Sequence, residues 1–568
     1  MFFSGIYLTR SLKFSRTDLK IKRTLLYVLT GLCLAFAFPP INIYTFYFIG
    51  IALLVYTVHN SVSFKQVFFR SYFSFLTFEL VTVSWISFSG FREGADKFLI
   101  VGGFVTMIIH CALLTLPLII YYYSRRQLLQ YFKSLTVLIL PFIWVTVEYL
   151  YALPEVSFPW VTAGNAFTTA LHKIQFIEIT GVYGISFWAI IIGCLLFLLI
   201  EKAAIGNESL PAFLKRKDVI INSVIIIVLF FLPDIYSFSA SSFNTYNKNF
   251  LEGKVRVSIV QPNVNPWKKW GSKQNELVDD YVELLKISDT SKIKSDLTIF
   301  PETATPFYLL NDYYTDKYNL IKETIDSLKI PLLIGTPDLV YYNDSIKAKP
   351  DSKENKTSGQ KYDSFNSAVL INPGEERASH QKYAKNKLVI ASERMPYQER
   401  IPFFRDIIRW SVGISSFQVG WDTTIFKLGN KASFNTAICY ETIYPEYFAA
   451  FMKKGAQFSV IITNDGWWGK LFGTHQHKQY AVLRAIENRR WIARCGNTGI
   501  SCIIDAYGNI YNETQINEKA IITDYIGLNN NLTFYSRNPY FFPNILFIIT
   551  LLILLTSIIV RISKRKAV

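Results

Sequence analysis

Apolar stretches long enough to cross a bilayer recur along this sequence and restrict its fold more than any other feature. A membrane-spanning helix needs about 20 predominantly apolar residues. About eight such stretches occur: Leu25 to Phe38, Ile41 to Val58, Tyr72 to Ser87, Phe98 to Tyr122, Leu135 to Tyr151, Val182 to Ile200, Val219 to Leu232 and Tyr540 to Val560. The first follows basic residues, as in a signal peptide, but it ends in Pro39-Pro40 without a small-residue cleavage site, so we expect a retained anchor. The pattern predicts a multi-pass α-helical membrane domain.

Composition and charge favour a membrane protein over a nucleic-acid-binding one. Hydrophobic residues make up 51% of the chain and charged residues 18%, against roughly 25% charged residues in soluble chains. The formal net charge of +17 could attract phosphate backbones. However, much of the positive charge lies beside apolar stretches, as at Lys20 to Arg23 and Lys564 to Lys566. Such clusters orient helices in a bilayer, so we expect no nucleic-acid partner.

Basic segments alternate with weakly charged loops along the predicted spans. The basic ones are the N-terminal tail, Lys65 to Arg70, Arg125 to Lys133, Lys202 to Lys217 and the C-terminal tail. Because basic segments stay on the cytoplasmic side, we expect both termini there and the long segment before the last span outside. We therefore divide the chain into a bundle of about seven spans (residues 1–245), an outer domain (246–538), and a final span with a basic tail (539–568).

The outer domain changes character, because its apolar runs shorten to strand length and turn residues separate them. Strands are predicted at Val255 to Val260, Leu297 to Phe300, Leu332 to Ile334, Ala368 to Ile371, Asn435 to Ile438, Phe458 to Ile462 and Ile500 to Ile504. Helices are predicted over Asn275 to Leu285, Asp316 to Leu328 and Gln476 to Arg494. This alternation predicts an α/β layered domain. Lys347 to Lys361 is polar and aperiodic, so we expect a surface insertion without chemistry.

Three segments of the outer domain each offer one reactive side chain at a strand end or in a loop. Phe300-Pro301-Glu302 supplies a carboxylate, Tyr383-Ala384-Lys385 an amine, and Ile438-Cys439-Tyr440-Glu441 a thiol. Each alone has an ordinary explanation, since a single Cys after a strand is more often a small core residue than a nucleophile. All three, in this order and with these flanking residues, favour a nucleophilic site.

The chemistry of such a site follows from the residue types. A thiol is mostly protonated at neutral pH, so Cys439 needs a base, and Glu302 is the candidate. When the sulfur attacks an ester carbonyl, the negative charge on oxygen needs fixed donors. Lys385 and the backbone N–H of Tyr440 could supply them. The product is a thioester, which splits one acyl transfer into two easier steps. This chemistry needs neither a metal nor a cofactor, so we expect none.

These three motifs resemble those of the nitrilase superfamily, whose members use a Glu-Lys-Cys triad in this chain order. Arg484-Ala485-Ile486-Glu487-Asn488-Arg489 is similar to a further helix of that family. The resemblance implies a four-layer α-β-β-α sandwich for the outer domain and Glu302, Lys385 and Cys439 as its catalytic residues.

A nitrilase-like domain placed before the last of about eight spans resembles the apolipoprotein N-acyltransferase family. Further likeness lies in Phe158-Pro159-Trp160, Gly181-Val182-Tyr183-Gly184, Thr463-Asn464-Asp465-Gly466-Trp467-Trp468-Gly469 and Gln476-His477. The resemblance implies supporting pocket roles for Trp270, Glu393, Tyr440 and Glu441. The segment before Glu393 departs from the family's usual Pro-Phe-Gly-Glu and reads Ile390-Ala391-Ser392-Glu393.

The same resemblance implies a reaction and a location. A phospholipid would donate its acyl chain to Cys439, and the α-amine of an S-diacylglyceryl cysteine at the N-terminus of an apolipoprotein would accept it in a ping-pong pattern. We expect a protein of the bacterial inner membrane with its catalytic domain in the periplasm. A monomer is expected, although the sequence leaves the oligomeric state open.

Two other functions stay open at this point. A membrane-tethered nitrilase-type amidase would use the same triad with water as the final acceptor. A transporter or receptor would instead need ionisable residues along a path through its spans, for which Glu79, Glu148 and Glu178 are the candidates.

Two smaller questions concern histidine and cysteine. His475 and His477 have a spacing that suits neither a helical face nor a zinc motif, which argues against a metal. The sequence does not settle whether Cys495 and Cys502 pair.

Overall fold

The computed structural model describes residues 16–205, 209–247, 253–271, 273–288, 294–342, 348–401 and 417–566. Its α-helices are α1 (Arg16–Phe36), α2 (Thr45–His59), α3 (Phe64–Thr82), α4 (Trp85–Ser89), α5 (Phe98–Leu114), α6 (Leu116–Phe132), α7 (Leu140–Tyr151), α8 (Leu171–Ile174), α9 (Ile177–Thr180), α10 (Val182–Ile205), α11 (Leu210–Leu214), α12 (Lys217–Asn247), α13 (Gln274–Ser288), α14 (Thr315–Leu328), α15 (Pro445–Lys453), α16 (Phe472–Asn488), α17 (Phe534–Arg537) and α18 (Phe541–Lys566). Its strands are β1 (Lys254–Gln261), β2 (Leu297–Ile299), β3 (Leu332–Tyr341), β4 (Lys353–Glu354), β5 (Lys361–Ile371), β6 (Gln381–Ala384), β7 (Phe426–Leu428), β8 (Ala432–Ile438), β9 (Phe458–Thr463), β10 (Ile492–Gly496), β11 (Cys502–Ile504), β12 (Ile510–Tyr511) and β13 (Ala520–Gly527).

Helices α1 to α12 and α18 form the membrane part. Within the described residues, 4 helical stretches are long and apolar enough to cross a membrane: Phe98–Tyr151, Val182–Ala204, Lys217–Ser239 and Phe541–Arg565. The first contains α5, α6 and α7 and includes two of the predicted spans. The three remaining predicted spans fall on α1, α2 and α3, of which α2 is apolar but 15 residues long. The count of about eight therefore stays a prediction.

The α/β part contains two sheets packed face to face. The 7-stranded sheet has the order β13-β1-β2-β3-β5-β4, with β6 also paired to β5, and the 6-stranded sheet has the order β12-β11-β10-β9-β8-β7. Successive strand residues point to opposite faces. Thus Ile438 lies in the core between the sheets, whereas Ala437 faces the core that α16 shares with the membrane part. Helices α13 and α14 cover the outer face of the first sheet, which gives the layer order α-β-β-α.

Helix α16 joins the α/β part to the membrane part through buried polar contacts. The side-chain oxygen of Gln476 accepts hydrogen bonds from Trp85 Nε1 at 3.0 Å and Trp160 Nε1 at 2.7 Å. Its amide nitrogen donates to the backbone oxygens of Pro39 at 3.1 Å and Thr82 at 2.9 Å. A buried amide with partners on all these sides holds its helix in one position, so α16 fixes the α/β part against the bundle.

The structure corrects two local predictions. The helix predicted over Gln476 to Arg494 ends at Asn488, because Arg489 turns into the left-handed region (φ +49°) and strand β10 begins at Ile492. The segment predicted as a surface insertion is not wholly at the surface. Its first residue, Lys347, lies outside the described residues, but Asp351 is only 2% exposed.

The acidic residues considered for a transport path each have a local partner. Glu79 contacts His110 Nδ1 at 2.8 Å, and Glu148 accepts hydrogen bonds from Trp144 Nε1 and the backbone N–H of Ala163. Glu178 pairs with Arg489 at 2.8 Å. These contacts fit structural roles better than a chain of ionisable groups.

Candidate active site

The three predicted catalytic residues follow strands of both sheets. Glu302 lies three residues after β2, and Lys385 and Cys439 come directly after β6 and β8. Strand β8 is buried along its whole length and ends at Ile438. The next residue, Cys439, has a φ of +52°, in the left-handed region that L-residues seldom adopt. This sharp exit turns the thiol out of the sheet and toward the other two residues.

Lys385 is the centre of the site. It is fully buried, and its Nζ lies 2.9 Å from Glu302 Oε1 and 2.9 Å from Glu393 Oε1. The side-chain amide of Asn366 donates to the same two oxygens, at 2.8 and 2.9 Å. Burial lowers the pKa of Lys385, but the two carboxylates outweigh it and hold the pKa well above its usual value. Lys385 is therefore a permanent cation between two acids.

The second oxygen of each carboxylate is held by backbone. Glu302 Oε2 accepts from the N–H of Asn464 at 3.1 Å, and Glu393 Oε2 accepts from the N–H of Val389 at 2.8 Å. Since both acids are bound at both oxygens, neither is free to rotate away from Lys385.

Cys439 is buried beside these charges. Burial and the negative charge of Glu302 raise the pKa of the thiol well above its usual value, and the opposite effect of Lys385 does not compensate. The resting residue is therefore a neutral thiol. Attack requires a base, and Glu302 belongs to the same cavity lining as the thiol.

Glu441 ties the nucleophile turn to the lysine loop. Its Oε2 accepts from the N–H of Ile438 at 2.8 Å, and its Oε1 accepts from the N–H of Asn386 at 2.6 Å and the hydroxyl of Tyr383 at 2.6 Å. Burial raises the pKa of Glu441 to about 7. Because Ile438 precedes Cys439 and Asn386 follows Lys385, one carboxylate sets the distance between the two reactive residues.

A second charged cluster lies close to Cys439 and outside the cavity lining. Asp465 contacts His477 Nδ1 at 2.8 Å, Thr463 Oγ1 at 2.8 Å and Arg494 at 2.5 Å. His477 Nε2 donates to the backbone oxygen of Cys439 at 3.0 Å. Charge attraction from Arg494 and His477 outweighs burial and lowers the pKa of Asp465 to about 2.

The Cys439, Asp465 and His477 side chains lie close enough to hold a metal ion, with their ligand atoms within 4.8 Å of one another. However, both ring nitrogens of His477 already contact protein oxygens, and both oxygens of Asp465 have donors. A metal ligand needs a free lone pair, so this arrangement fits a hydrogen-bonded support better than a metal centre.

A cavity of about 390 Å³ opens from the triad toward the membrane part. Glu302, Lys385, Cys439 and Tyr440 line one end. Most of the other lining residues are apolar: Trp85, Ile86, Phe98, Leu99, Val105, Phe158, Trp160, Trp267, Val389, Ile390, Phe417, Trp467 and Trp468, with polar Ser89, Thr106, Thr303, Asn366, Ser392 and Glu393 among them. Several come from α4 and α5, and α5 also carries exposed apolar residues such as Ile108 and Ile109. The reactive groups thus lie beside a largely apolar cavity, and helix α5 forms part of its wall.

Comparison with known proteins agrees with this architecture. The family profile of the apolipoprotein N-acyltransferase N-terminal domain matches residues 30–195, and that of carbon-nitrogen hydrolases matches residues 256–530. The apolipoprotein N-acyltransferase of Chlorobaculum tepidum is 30% identical over 531 residues, covering 91% of this chain and 93% of the relative. This chain belongs to the apolipoprotein N-acyltransferase family.

Other relatives are more distant. The apolipoprotein N-acyltransferase of Geobacter metallireducens is 28% identical over 516 residues, covering 90% of this chain and 91% of that protein. Among solved structures, Nit3 of Saccharomyces cerevisiae, a member of branch 10 of the nitrilase superfamily, is 15% identical, with a TM-score of 0.35 and coverage of 51% of this chain and 96% of its own.

The structure places most residues that the family resemblance singled out, and adds others. Glu393 contacts Lys385, Tyr440 lines the cavity, and Glu441 braces the turn. Trp270 is absent from the cavity lining, where Trp267 stands instead.

Sequence reasoning missed Asn366, which contacts both carboxylates. The one feature that could have indicated its role is a single amide side chain between Phe365 and Ser367. In the structure it lies in strand β5, whose residues are all buried from Asp363 onward. Asp465 and His477 were noted only within motifs of the family resemblance, and His477 also as an improbable metal ligand beside His475. The structure instead pairs the two residues behind Cys439.

All six cysteines lie in the described part of the chain and are free thiols. Cys495 and Cys502 are therefore not joined by a disulfide.

Proposed function

We propose that this chain transfers a fatty acyl group from a phospholipid, through a thioester on Cys439, to the α-amine of an N-terminal S-diacylglyceryl cysteine of apolipoproteins. The observation that carries the proposal is the position of Lys385, 2.9 Å from each of two carboxylates, at one end of a cavity lined by membrane-helix side chains. The named activity of the relatives supports it.

In the first step, Glu302 takes the proton of the Cys439 thiol as the sulfur attacks the ester carbonyl carbon of the phospholipid. The C=O electron pair moves to oxygen, where Lys385 and the backbone N–H of Tyr440 stabilise it. The intermediate then collapses, the ester C–O bond breaks, and Glu302 returns its proton to the departing lysophospholipid oxygen. The thioester stays on the enzyme.

In the second step, the α-amine of the apolipoprotein attacks the thioester carbon. Glu302 takes a proton from the amine and the C–S bond breaks. That proton then returns to the sulfur, so an amide is released and the thiol is restored. Donor and acceptor use the site in turn, which is a ping-pong order.

The membrane helices give this chemistry access to its substrates. Removing an acyl chain from a bilayer costs about 0.8 kcal/mol per CH₂. A cavity that runs along α5 lets a chain enter from the side and avoid that cost. Glu393 and Glu441 complete the proposed site as supporting residues, and the role that the family resemblance implies for Trp270, which is not among the lining residues, stays a prediction.

The proposed topology follows from the charge pattern. We propose about eight spans, with the catalytic domain of residues 246–538 held in the periplasm and both termini in the cytoplasm of a bacterial inner membrane. The protein is proposed to act as a monomer.

Acyl capture tests the proposal. Purified protein is mixed with phospholipid labelled in its acyl chain, and the label is sought on Cys439 by mass spectrometry. We expect a hydroxylamine-sensitive label in the wild type and none in Cys439→Ala, while Cys495→Ala, which removes another buried thiol, keeps it. Adding a diacylglyceryl-cysteine peptide should move the label to its amine.

A wild type that never acquires label, or a Cys439→Ala variant that does, contradicts the mechanism. Rapid loss of label to water, without acceptor, would favour the amidase.

A further inference from the structure

The buried carboxylate of Asp351 lies in a segment that otherwise has the composition of a surface loop. It is 2% exposed, and both of its oxygens accept hydrogen bonds. Oδ2 is 2.7 Å from Arg394 and 2.8 Å from the amide of Gln398, and Oδ1 is 2.9 Å from the amide of Gln418. A buried carboxylate with this many donors fixes the chain segments that carry them.

Its charged partner, Arg394, closes the loop that carries Glu393. The Arg394 guanidinium also donates to Phe417 O at 3.2 Å and Gln418 Oε1 at 3.1 Å. Its backbone oxygen accepts from the N–H of Ala391 at 2.9 Å. Arg394 is therefore held from outside the loop by Asp351 and from inside it by Ala391.

This loop, residues 389–394, has a conformation that its own sequence does not favour. Ala391 has a φ of +61°, in the region that favours glycine, and the loop contains neither glycine nor proline. The loop is closed by Glu393 N–H to Val389 O at 2.9 Å and by Val389 N–H to Glu393 Oε2 at 2.8 Å. Strained backbone persists where surrounding contacts enforce it.

The same loop is part of the cavity. Residues 389–393 line it, and Glu393 Oε1 contacts Lys385 at 2.9 Å. A shift of the loop would move a cavity wall and also one of the two carboxylates that hold the catalytic amine.

We propose that Asp351 is a positioning residue, which holds the loop of residues 389–394 in its strained form through Arg394 and so keeps Glu393 against Lys385. The proposal rests on the proposed function for its kinetic consequence alone. The segment of residues 348–361 thereby acts as a clamp on the active site.

Hydrogen exchange tests the clamp without any turnover. Asp351→Asn removes the negative charge opposite Arg394 and leaves one acceptor oxygen in place of two, so the ion pair is lost and the three contacts can no longer all form. We expect faster exchange in the peptide of residues 385–399 than in the wild type. Asp338→Asn is the matched control, since it removes an ion pair with Lys382 at 3.1 Å on the same sheet and should leave that peptide unchanged. If Asp351→Asn does not fold, Asp351→Asn/Arg394→Gln removes both buried charges and should still show faster exchange.

Acylation kinetics test the consequence for the site. Asp351→Asn should slow single-turnover labelling of Cys439 about tenfold to a hundredfold, the loss expected when a catalytic group is misplaced by about 1 Å. Adding Ala391→Gly should recover about fivefold, because glycine adopts the positive φ without strain. Because glycine at this positive φ also stabilises the fold, the labelling rate is divided by the folded fraction from a thermal melt, and the recovery must persist after this correction.

Two results overturn the inference: wild-type exchange in residues 385–399 of folded Asp351→Asn, or no recovery of the labelling rate in the glycine double variant. An unlabelled wild type would reject the proposed function instead, and the exchange result would still decide the clamp.

Discussion

The two sides of Cys439 use similar charged groups in opposite balance. On the cavity side, one amine, Lys385, is shared by two carboxylates, Glu302 and Glu393. On the other side, one carboxylate, Asp465, is shared by Arg494 and His477. A surplus of carboxylate can take up the proton that attack by a thiol releases. A single buried carboxylate bound by two donor side chains, one of which, His477, also donates to the backbone oxygen of Cys439, can instead hold a turn in place. The residues on the cavity side therefore take part in the chemistry, and those on the other side hold the turn at Cys439 in place.

The largest effect should follow from removing the amine on the cavity side. Lys385→Met removes the cation that two buried carboxylates share and removes a donor to the oxyanion. We expect the rate of Cys439 labelling to fall roughly a hundredfold to a thousandfold, together with a lower melting temperature. Single-turnover labelling and a thermal melt in detergent measure the two effects.

A double variant separates charge balance from chemistry at this position. Lys385→Met/Glu393→Gln removes one acid together with the amine, so stability should return while labelling stays slow. If labelling returns along with stability, Lys385 serves only to balance charge, and the contrast between the two sides of Cys439 fails.

The cluster behind Cys439 should affect stability more than rate. Asp465→Asn leaves the fully buried side chain of Arg494 without its carboxylate, and removing one member of a buried pair costs about 3–5 kcal/mol. The folded variant should label Cys439 at a rate within about tenfold of the wild type. Losing a general base would slow the rate by about a hundredfold or more, so a loss below tenfold argues against that role for Asp465. Glu513→Gln, which breaks a half-exposed pair with Lys478 on α16, is the control and should cost less than about 1 kcal/mol.

The contribution of the same cluster to the free energy of unfolding should depend on pH in the acidic range. The pKa of Asp465 is lowered to about 2 in the folded protein, from about 3.9 in an unfolded chain. Its contribution of about 2.6 kcal/mol is therefore complete above about pH 5 and is lost as the pH falls toward 1. The stability difference between wild type and Asp465→Asn should shrink over that window. Equal stability at pH 7 with lost labelling would instead make Asp465 part of the proton transfer.

Residues that follow a strand in a recognisable motif could be predicted, and those defined by pairing could not. Glu302 and Cys439 follow predicted strands, whereas strand β6 before Lys385 was not predicted and the lysine was found by its flanking residues and its order between the other two. Strand β13 escaped prediction because it pairs with β1 from more than 250 residues away, with Gln261 opposite Ala520, and no local pattern records such a partner. Asn366 and Asp351 were missed for the same reason, since their roles come only from contacts made across the fold.

The smallest expected effect concerns two tryptophans, and it tests the extent of the cavity side. Trp267 lines the cavity and packs edge-on against Trp467 at 4.7 Å, whereas Trp270 is not among the lining residues. Trp267→Ala should raise the KM for phospholipid about tenfold, equivalent to about 1.4 kcal/mol of binding, with little change in kcat, since a wall residue binds ground state and transition state alike. Trp270→Ala should change either constant by less than about twofold if it contacts no substrate. Initial rates over a range of phospholipid concentrations measure both constants. A larger effect of Trp270→Ala than of Trp267→Ala would show that Trp270 contacts the substrate and that the binding site includes the segment after β1.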